Sequence, residues 1–170
     1  AVRAAGLAGA AVVSGGSAGA RWNGLHLIGP TGAPVPREAA VVVQERTAQW
    51  VGRVSELQEL GEREATEIEL RRELDPAAIH SDVLESVVDV DAIRASGLGV
   101  ACDLRWGTSR GTLDRLLRAW GVAGEVLNET IDPAFAGARP DPTPDSLGAL
   151  ADSVRAGHDL GVAVDPSGTR

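Results

Sequence analysis

Short apolar runs alternate with longer segments of helical pattern along this chain, and this alternation constrains the fold more than any other feature. The apolar runs predict strands at Ala10–Val13, Leu25–Ile28, Leu98–Cys102, Val122–Leu127 and Asp159–Val164. Strands that are joined through helices of about 10–15 residues usually run parallel, because each crossover returns the chain to the same end of the sheet. The pattern therefore predicts α/β layers with a mostly parallel sheet.

The segments between these runs carry helix signals. Pro36 suits the first turn of a helix that continues to Trp50. Asp75 and Asp89 are N-cap residues in front of two further helices, which extend to Val88 and over Ala92–Ser96. The other predicted helical segments are Ala1–Leu7, part of Val51–Glu73, Thr112–Trp120, and a helix that begins at Thr143 or Asp145 and ends at Ala156.

The charge of the chain excludes one class of partner. The formal net charge is −8, and the 16 basic residues are all arginine. A protein that binds nucleic acid without sequence preference needs a basic face, so we expect no nucleic-acid partner. Acidic residues crowd between Glu56 and Asp91 together with arginines, which predicts solvated helices with ion pairs at i,i+4 spacing.

The single cysteine and the apolar segments bear on the compartment. Cys102 has no partner for an intramolecular disulfide and lies in an apolar run, so we expect a buried structural thiol in a reducing, cytoplasmic compartment. No stretch approaches the ~18–20 apolar residues of a membrane span, and we expect no membrane association. The sequence contains no methionine, and we expect it to be a fragment of a longer protein.

A glycine-rich loop, Ser14–Gly19, follows the first strand. Its backbone N–H groups are available to an anion, because no regular element tolerates this composition. The loop lacks both the Gly-x-x-x-x-Gly-Lys-Ser/Thr pattern and the Gly-x-Gly-x-x-Gly pattern. We therefore expect neither a nucleoside triphosphatase nor a dinucleotide site, but a loop that binds phosphate weakly or not at all.

Several motifs occur in an order and at a spacing that point to one family. Asn23–Gly32 contains an Asn-Gly pair followed by a Gly-Pro-x-Gly turn, and Asp103–Gly111 reads Asp-x-x-x-Gly-x-x-Arg-Gly. Asp132–Phe135, Pro140–Leu147 and Asp159–Arg170 then follow in order. Together these segments resemble the end of domain one and most of domain two of the α-D-phosphohexomutases, the phosphoglucomutase and phosphomannomutase enzymes.

The resemblance implies a domain organisation. Two incomplete three-layer α/β/α domains of phosphohexomutase type, with mostly parallel mixed sheets, are expected. Residues 1–82 would be the C-terminal part of domain one with its following helices, and residues 83–170 would be domain two, ending at its metal loop. Nothing in the chain resembles domains three and four, which we expect as missing partners. The alternative is one six-stranded domain in which the Glu-rich region is an inserted helix.

The phosphoserine loop of the family, Thr-Ala-Ser-His-Asn-Pro, falls on Ser14–Gly19. Counting back from Asn23 places the phosphorylated serine at Gly16, and glycine has no oxygen to phosphorylate. By the same alignment, Ser14, Gly15 and Asn23 would contact a phosphate. Ser17 lies one residue beyond the expected position and remains an alternative as a displaced phosphoacceptor.

Two further positions remain open to alternative interpretations. The family lysine falls on His26, which would be either a cation near the phosphate or a half-exposed strand residue. Trp106 would either line a ligand cleft or pack within its own loop.

The metal loop of the family, Asp-x-Asp-x-Asp-Arg, falls on the last six residues. Asp165 keeps the first carboxylate, whereas Ser167 and Thr169 replace the second and third, and Arg170 matches the closing arginine. Mg2+ is a hard cation that prefers charged oxygen ligands. The resemblance implies Mg2+ as a cofactor, and we expect its binding here to be weak or absent.

These replacements lead to a functional expectation. The family moves a phosphoryl group between two hydroxyls of a hexose phosphate, using the serine as nucleophile and leaving group in turn. We expect a phosphohexomutase-like protein of sugar-phosphate metabolism in which this 170-residue segment is inactive. The alternative is a non-catalytic pseudoenzyme scaffold that binds a hexose phosphate or a protein partner. In either case Ser14–Gly19 is expected to face Asp165–Arg170.

Overall fold

The computed structural model of the chain describes residues 1–122 and 124–170. They form two compact units. The first comprises Ala1–Val12 and Leu27–Ile79, and the second comprises Val13–His26 and His80–Arg170. Helices alternate with strands, and one of the two sheets is wholly parallel, which confirms the predicted α/β class.

A small sheet and three helical segments lie between residues 10 and 67. Strands β1 (Ala10–Val13) and β2 (Leu25–Ile28) form a two-stranded sheet, as their apolar runs predict. Helix α1 (Arg37–Trp50) begins after Pro36, and a 3-10 turn (Val54–Glu56) and helix α2 (Glu62–Glu67) follow it.

Helix α1 exposes apolar side chains. No residue of α1 is buried, and Val41, Val42 and Val43 are 41%, 50% and 42% exposed. In the acidic segment Arg63–Glu67 forms an exposed ion pair of 2.8 Å at the predicted i,i+4 spacing, and Arg53–Glu56 forms one of 2.6 Å at i,i+3 spacing. Exposed pairs of this kind contribute about 1 kcal/mol or less each, so they keep the segment solvated rather than hold it in place.

Two aspartates cap the next helices, as the sequence predicts. Asp75 Oδ1 accepts hydrogen bonds from the backbone N–H groups of Ala77 and Ala78 at the start of α3 (Pro76–Glu85). Asp89 accepts from the N–H of Ala92 in α4 (Val90–Ser96). Each carboxylate satisfies N–H groups that lack a partner in the first helical turn.

A three-stranded parallel sheet forms the centre of the second unit. Its strands are β3 (Val100–Asp103), β4 (Val126–Leu127) and β5 (Leu160–Ala163), in the order β4-β3-β5. Cys102 pairs with Val126 on one side and with Val162 on the other. All four residues of β3 are buried, because a central parallel strand is covered on both faces.

Helices α5 (Leu113–Ala119) and α6 (Gly148–Arg155) accompany this sheet, with 3-10 turns at Phe135–Gly137 and Pro144–Ser146. The core consists mainly of aliphatic side chains, as expected for a chain with few aromatic residues. Leu104 is fully buried, and Leu116, Trp120 and Leu150 are between 5% and 8% exposed.

Several predicted elements differ from the structure. The helix predicted to extend to Val88 ends at Glu85, and the one predicted from Thr143 or Asp145 starts at Gly148, after a 3-10 turn. Ala1–Leu7 is a series of turns rather than a helix, because Gly6 takes a positive φ of 61°. The strand predicted at Leu98–Cys102 starts at Val100, and the one predicted at Asp159–Val164 is shortened to Leu160–Ala163. The one predicted at Val122–Leu127 is reduced to two residues that pair only with Cys102 and Asp103; its residue 123 lies outside the described part of the chain.

Within the described residues, no helix combines the length and apolar character that crossing a membrane requires.

We predict that Leu104→Ala destabilises the second unit by about 2–5 kcal/mol, because it removes a fully buried side chain and leaves a cavity. Leu160→Ala is the matched control, since Leu160 is 49% exposed and its truncation should cost about 1 kcal/mol or less. Urea denaturation followed by circular dichroism measures both. Equal losses for the two variants would contradict this assignment of the core.

Candidate functional site

The carboxylate of Asp165, just after β5, is the centre of a dense hydrogen-bond network. Asp165 has no exposed surface. Its Oδ1 accepts from the backbone N–H groups of Thr169 and Arg170 at 2.7 and 2.8 Å. Its Oδ2 accepts from the hydroxyls of Ser17 and Ser167 at 3.0 and 2.5 Å. The residue predicted as the first metal ligand is therefore fully engaged by the protein.

These hydrogen bonds determine the ionisation of Asp165. Burial alone would raise the pKa of this carboxyl group, because it disfavours the charged form. The hydroxyl of Ser167, the N–H groups of Arg170 and Thr169, and the hydroxyl of Ser17 outweigh burial and lower the pKa to about 2. Asp165 is thus a carboxylate at all ordinary pH values.

Ser17 connects the glycine-rich loop to the C-terminal loop. Its hydroxyl donates to Asp165 and accepts a 2.6 Å hydrogen bond from Nη2 of Arg170. The same Nη2 lies 3.0 Å from Oδ1 of Asp141. The structure therefore brings Ser14–Gly19 against Asp165–Arg170, as the resemblance implied, with Ser17 rather than residue 16 at the junction.

Gly16 forms no hydrogen bond with Asp165 in the described structure. Its backbone φ is +59°, a left-handed conformation, and its N–H donates to Oγ of Ser14. A Cβ atom at Gly16 would meet nothing within 4 Å, so a serine there has room but would strain the backbone. The loop is thus folded around a glycine at the position for which the resemblance implied the phosphoserine.

A second loop packs against the residue that follows Asp165. The N–H and the hydroxyl of Thr108 both donate to the carbonyl oxygen of Pro166, at 2.9 and 3.1 Å. A Cβ on Gly107 would lie 2.3 Å from Cα of Pro166, so only glycine permits this approach. The Gly107–Arg110 part of the predicted Asp-x-x-x-Gly-x-x-Arg-Gly motif therefore belongs to the site.

Arg105 is a structural residue that the sequence analysis did not identify. Its side chain is 2% exposed, and its guanidinium lies 3.5 Å from Oδ2 of Asp103. It also donates to the carbonyl oxygens of Arg139 and Ser146. A buried cation is stable only with such partners. Arg105 thereby fixes the segment that contains Asp141, the other residue that reasoning from sequence missed.

A cavity of about 380 Å3 opens beside these loops. It is lined by residues of four segments of the second unit, at positions 13–23, 106–110, 131–135 and 166–167. Ser14, Gly15, Gly16, Asn23 and Ser167 are among the predicted site residues that line it.

Other predicted residues lie elsewhere. His26 is exposed on β2, outside both the cavity lining and the network, which favours the interpretation of a strand residue. Trp106 lies beneath the guanidinium of Arg105 at 5.4 Å, which fits the packing interpretation. It also lines the cavity, and its role in binding a ligand stays a prediction. Cys102 is 1% exposed, and burial together with Asp103 and Asp114 raises the pKa of its thiol to about 11, so it is a buried structural thiol.

The residues at the expected metal loop do not fit a resident Mg2+ ion. A carboxylate accepts about four hydrogen bonds, and Asp165 already accepts four from protein groups at 3.0 Å or less. The hydroxyls of Ser167 and Thr169 are neutral, and both contact Asp165. Within residues 1–122 and 124–170, no group of three His, Cys, Asp or Glu side chains is arranged to hold a metal.

Comparisons with known proteins agree on one relationship. The family profile for "Phosphoglucomutase/phosphomannomutase, alpha/beta/alpha domain II" matches residues 78–170. A curated phosphoglucomutase/phosphomannomutase of Thermococcus kodakarensis is 29% identical over 163 residues, which are 95% of this chain and 34% of the relative. The chain thus spans about a third of the length of that relative.

Solved structures show the same fold. A putative phosphomannomutase of Thermus thermophilus superposes with a TM-score of 0.77 at 22% identity, over 99% of this chain and 37% of the other. A phosphoglucomutase/phosphomannomutase family protein of Burkholderia thailandensis gives a TM-score of 0.66 at 20% identity, over 95% and 32%. The fold is therefore of the α/β phosphohexomutase class. The chain belongs to the phosphoglucomutase/phosphomannomutase family.

We predict that Asp165→Asn lowers the stability of the protein at neutral pH. The variant should also lack the loss of stability that protonation of Asp165 causes in the native protein at low pH. The folded pKa of about 2 lies below the ordinary value of ~3.9, so the stabilisation is complete above about pH 4 and is lost as pH falls through about 2. Thermal unfolding midpoints between pH 7 and pH 2 measure this. Asp152→Asn, at an exposed ion pair, is the control and should keep the acid loss of the native protein.

We predict that Ser167→Asp combined with Thr169→Asp raises Mg2+ affinity by about tenfold or more, because it restores two charged oxygen ligands next to Asp165. Isothermal titration calorimetry with MgCl2 measures the change. The pair Ser167→Asn and Thr169→Asn is the control, since it adds neutral groups of the same size. If the aspartate variant binds Mg2+ no better than the asparagine variant, the alignment of this loop with the family motif is wrong.

Proposed function

We propose that this chain is part of a phosphohexomutase-family protein of sugar-phosphate metabolism, and that it binds a hexose phosphate without carrying the transferred phosphoryl group. The observation behind this proposal is the closed network at Asp165, which forms around Gly16 and Ser17. The network joins Ser14–Gly19 to Asp165–Arg170, the loops that match the phosphoserine loop and the metal loop of the family.

Ser17 follows Gly16 directly in sequence, and its surroundings disfavour it as a nucleophile. The proton of its hydroxyl is donated to Asp165, whose pKa is about 2. An effective general base has a pKa near the working pH, so this carboxylate has little tendency to take the proton. The hydrogen bond from Arg170 further engages the lone pairs of Oγ. Ser17 therefore holds the loops together rather than exchanging phosphate.

The cavity beside the network supports the binding part of the proposal. Its volume of about 380 Å3 lies within the range of small-ligand pockets. Its lining combines backbone groups of a glycine-rich loop with polar and aromatic side chains. The choice of hexose would then depend on domains three and four, which we propose as partners of this chain in a cytoplasmic protein. The curated relative is about three times as long as the chain.

We predict that the chain does not take up a stable phosphoryl group. After incubation with glucose 1,6-bisphosphate, intact mass spectrometry should show the unmodified mass, because Gly16 offers no acceptor and Ser17 lacks a competent base. Ser17→Ala is the matched control and should behave identically. A gain of one phosphate that maps to Ser14 or Ser17 would overturn the proposal. If the phosphate maps to Ser17 and is lost in Ser17→Ala, Ser17 is a displaced nucleophile.

A further inference from the structure

A second cavity lies beside helix α5 in the second unit, and we call it the α5 cavity. Its volume is about 150 Å3, and none of the described residues that line it lines the cavity beside Asp165. Three of its lining residues, Arg118, Gly124 and Glu125, are exposed and form its mouth, whereas others are buried. The α5 cavity is therefore separate from the site already described and open to solvent on one side.

The wall of the α5 cavity is mainly apolar. The apolar residues that line it are Val100, Cys102, Leu117, Val122 and Val126. Burial, Asp103 and Asp114 raise the pKa of the Cys102 thiol to about 11, so this thiol adds no charge to the wall at neutral pH. An apolar cavity of this size accommodates a molecule of about six heavy atoms, such as benzene. The volume and the wall therefore fit a small ligand with an apolar body.

One buried oxygen atom at this cavity lacks a hydrogen bond. Asp114, in the first turn of α5, lines the cavity and is 8% exposed. Within the described residues, its buried Oδ1 accepts no hydrogen bond. Buried polar atoms in folded proteins are almost always hydrogen-bonded, because an unsatisfied one loses its contact with water without compensation. Asp114 therefore requires a donor that the described residues do not supply.

The charge at the α5 cavity favours a cation. Nη2 of Arg118 lies 3.8 Å from Oδ2 of Asp114, and the Arg118 side chain is 63% exposed, so this pair compensates the buried carboxylate only weakly. Glu125 adds a second carboxylate at the mouth, where its Oε2 accepts a 2.5 Å hydrogen bond from the hydroxyl of Ser153. The described lining thus carries two carboxylates against one guanidinium.

We propose that the α5 cavity binds a small primary ammonium ion with an apolar body, its ammonium group donating to Asp114 and its body against Leu117 and Val122. An ammonium group supplies both the donor and the positive charge that the buried carboxylate lacks. A water molecule would supply the donor without the charge, and it would leave the apolar wall without a contact. The inference goes beyond the proposed function and does not depend on it.

Nuclear magnetic resonance titrations of the 15N-labelled chain test the class of ligand. Isobutylamine is the probe, and it is an ammonium ion at pH 7 because aliphatic amines have a pKa of ~10.4. It should shift the backbone amide signals of Cys102, Leu117 and Val126 to saturation and leave those of helix α1 unchanged. Isobutanol and isobutyrate carry a neutral and a negative group on a similar body, and each should bind about tenfold more weakly or less. Ammonium chloride, which has no apolar body, should also bind much more weakly.

Variants test the contact with Asp114. Asp114→Asn keeps the size of the side chain and removes its charge, so it should weaken isobutylamine binding about tenfold or more. Asp152→Asn is the matched control, since Asp152 is an exposed carboxylate of the same unit that does not line the cavity. Glu125→Gln should weaken binding by a smaller factor, because solvent screens an exposed charge. If Asp114→Asn fails to fold, Val122→Phe decides the matter, because it keeps Asp114, fills part of the cavity and should also weaken binding about tenfold.

Every outcome of these titrations bears on the inference. Binding of isobutylamine that exceeds that of isobutanol and is weakened by Asp114→Asn or Val122→Phe supports it. Equal binding of isobutylamine and isobutanol contradicts the ammonium class, and binding that neither variant weakens contradicts the location. If none of the four compounds shifts the signals, the α5 cavity holds water alone and the inference is wrong, whereas the proposed function is unaffected.

Discussion

The hydrogen bonds to Asp165 are the interaction on which the site depends. One buried carboxylate gathers a hydroxyl from the glycine-rich loop, a hydroxyl from its own loop and two backbone N–H groups. Removing a partner from a buried charge is costly, so each donor stabilises the arrangement of the others. The resemblance implied a metal ion among several carboxylates at this loop. In this chain the single charge of Asp165 is instead stabilised by neutral hydrogen-bond donors.

A second buried charge supports the surrounding loops. Arg105 follows β3 as Asp165 follows β5, so both lie at the carboxyl edge of the parallel sheet, where α/β folds place their sites. Arg105 holds the Arg139–Ser146 segment and stacks on Trp106. Asp141 of that segment contacts Arg170, which contacts Ser17. The cavity and the network therefore share one framework of charged residues.

The fold was predictable to a greater extent than the site. Apolar runs and the caps at Asp75 and Asp89 predict the α/β class and most elements, because they depend on local preference. The role of Ser17 could not be predicted, because counting residues back from Asn23 does not reveal the positive φ of Gly16, which changes the direction of the loop backbone just before Ser17. Arg105 was missed because its partners are the backbone carbonyl groups of residues 34 and 41 positions away, which leave no local pattern. The detectable signal was a charged pair, Asp103 and Arg105, at the end of an apolar run.

The loop after β5 is closed by hydrogen bonds among protein groups, which already engage the carboxylate that a metal would use. Anomalous scattering from crystals grown with MnCl2 tests this claim directly, because Mn2+ occupies sites built from carboxylate and other oxygen ligands and is visible at its own absorption edge. We expect no anomalous peak near Asp165, with Ser17 and Ser167 still within hydrogen-bond distance of its carboxylate. A peak about 2.2 Å from an Asp165 oxygen, with the Ser17 hydroxyl displaced, would contradict this description of the loop.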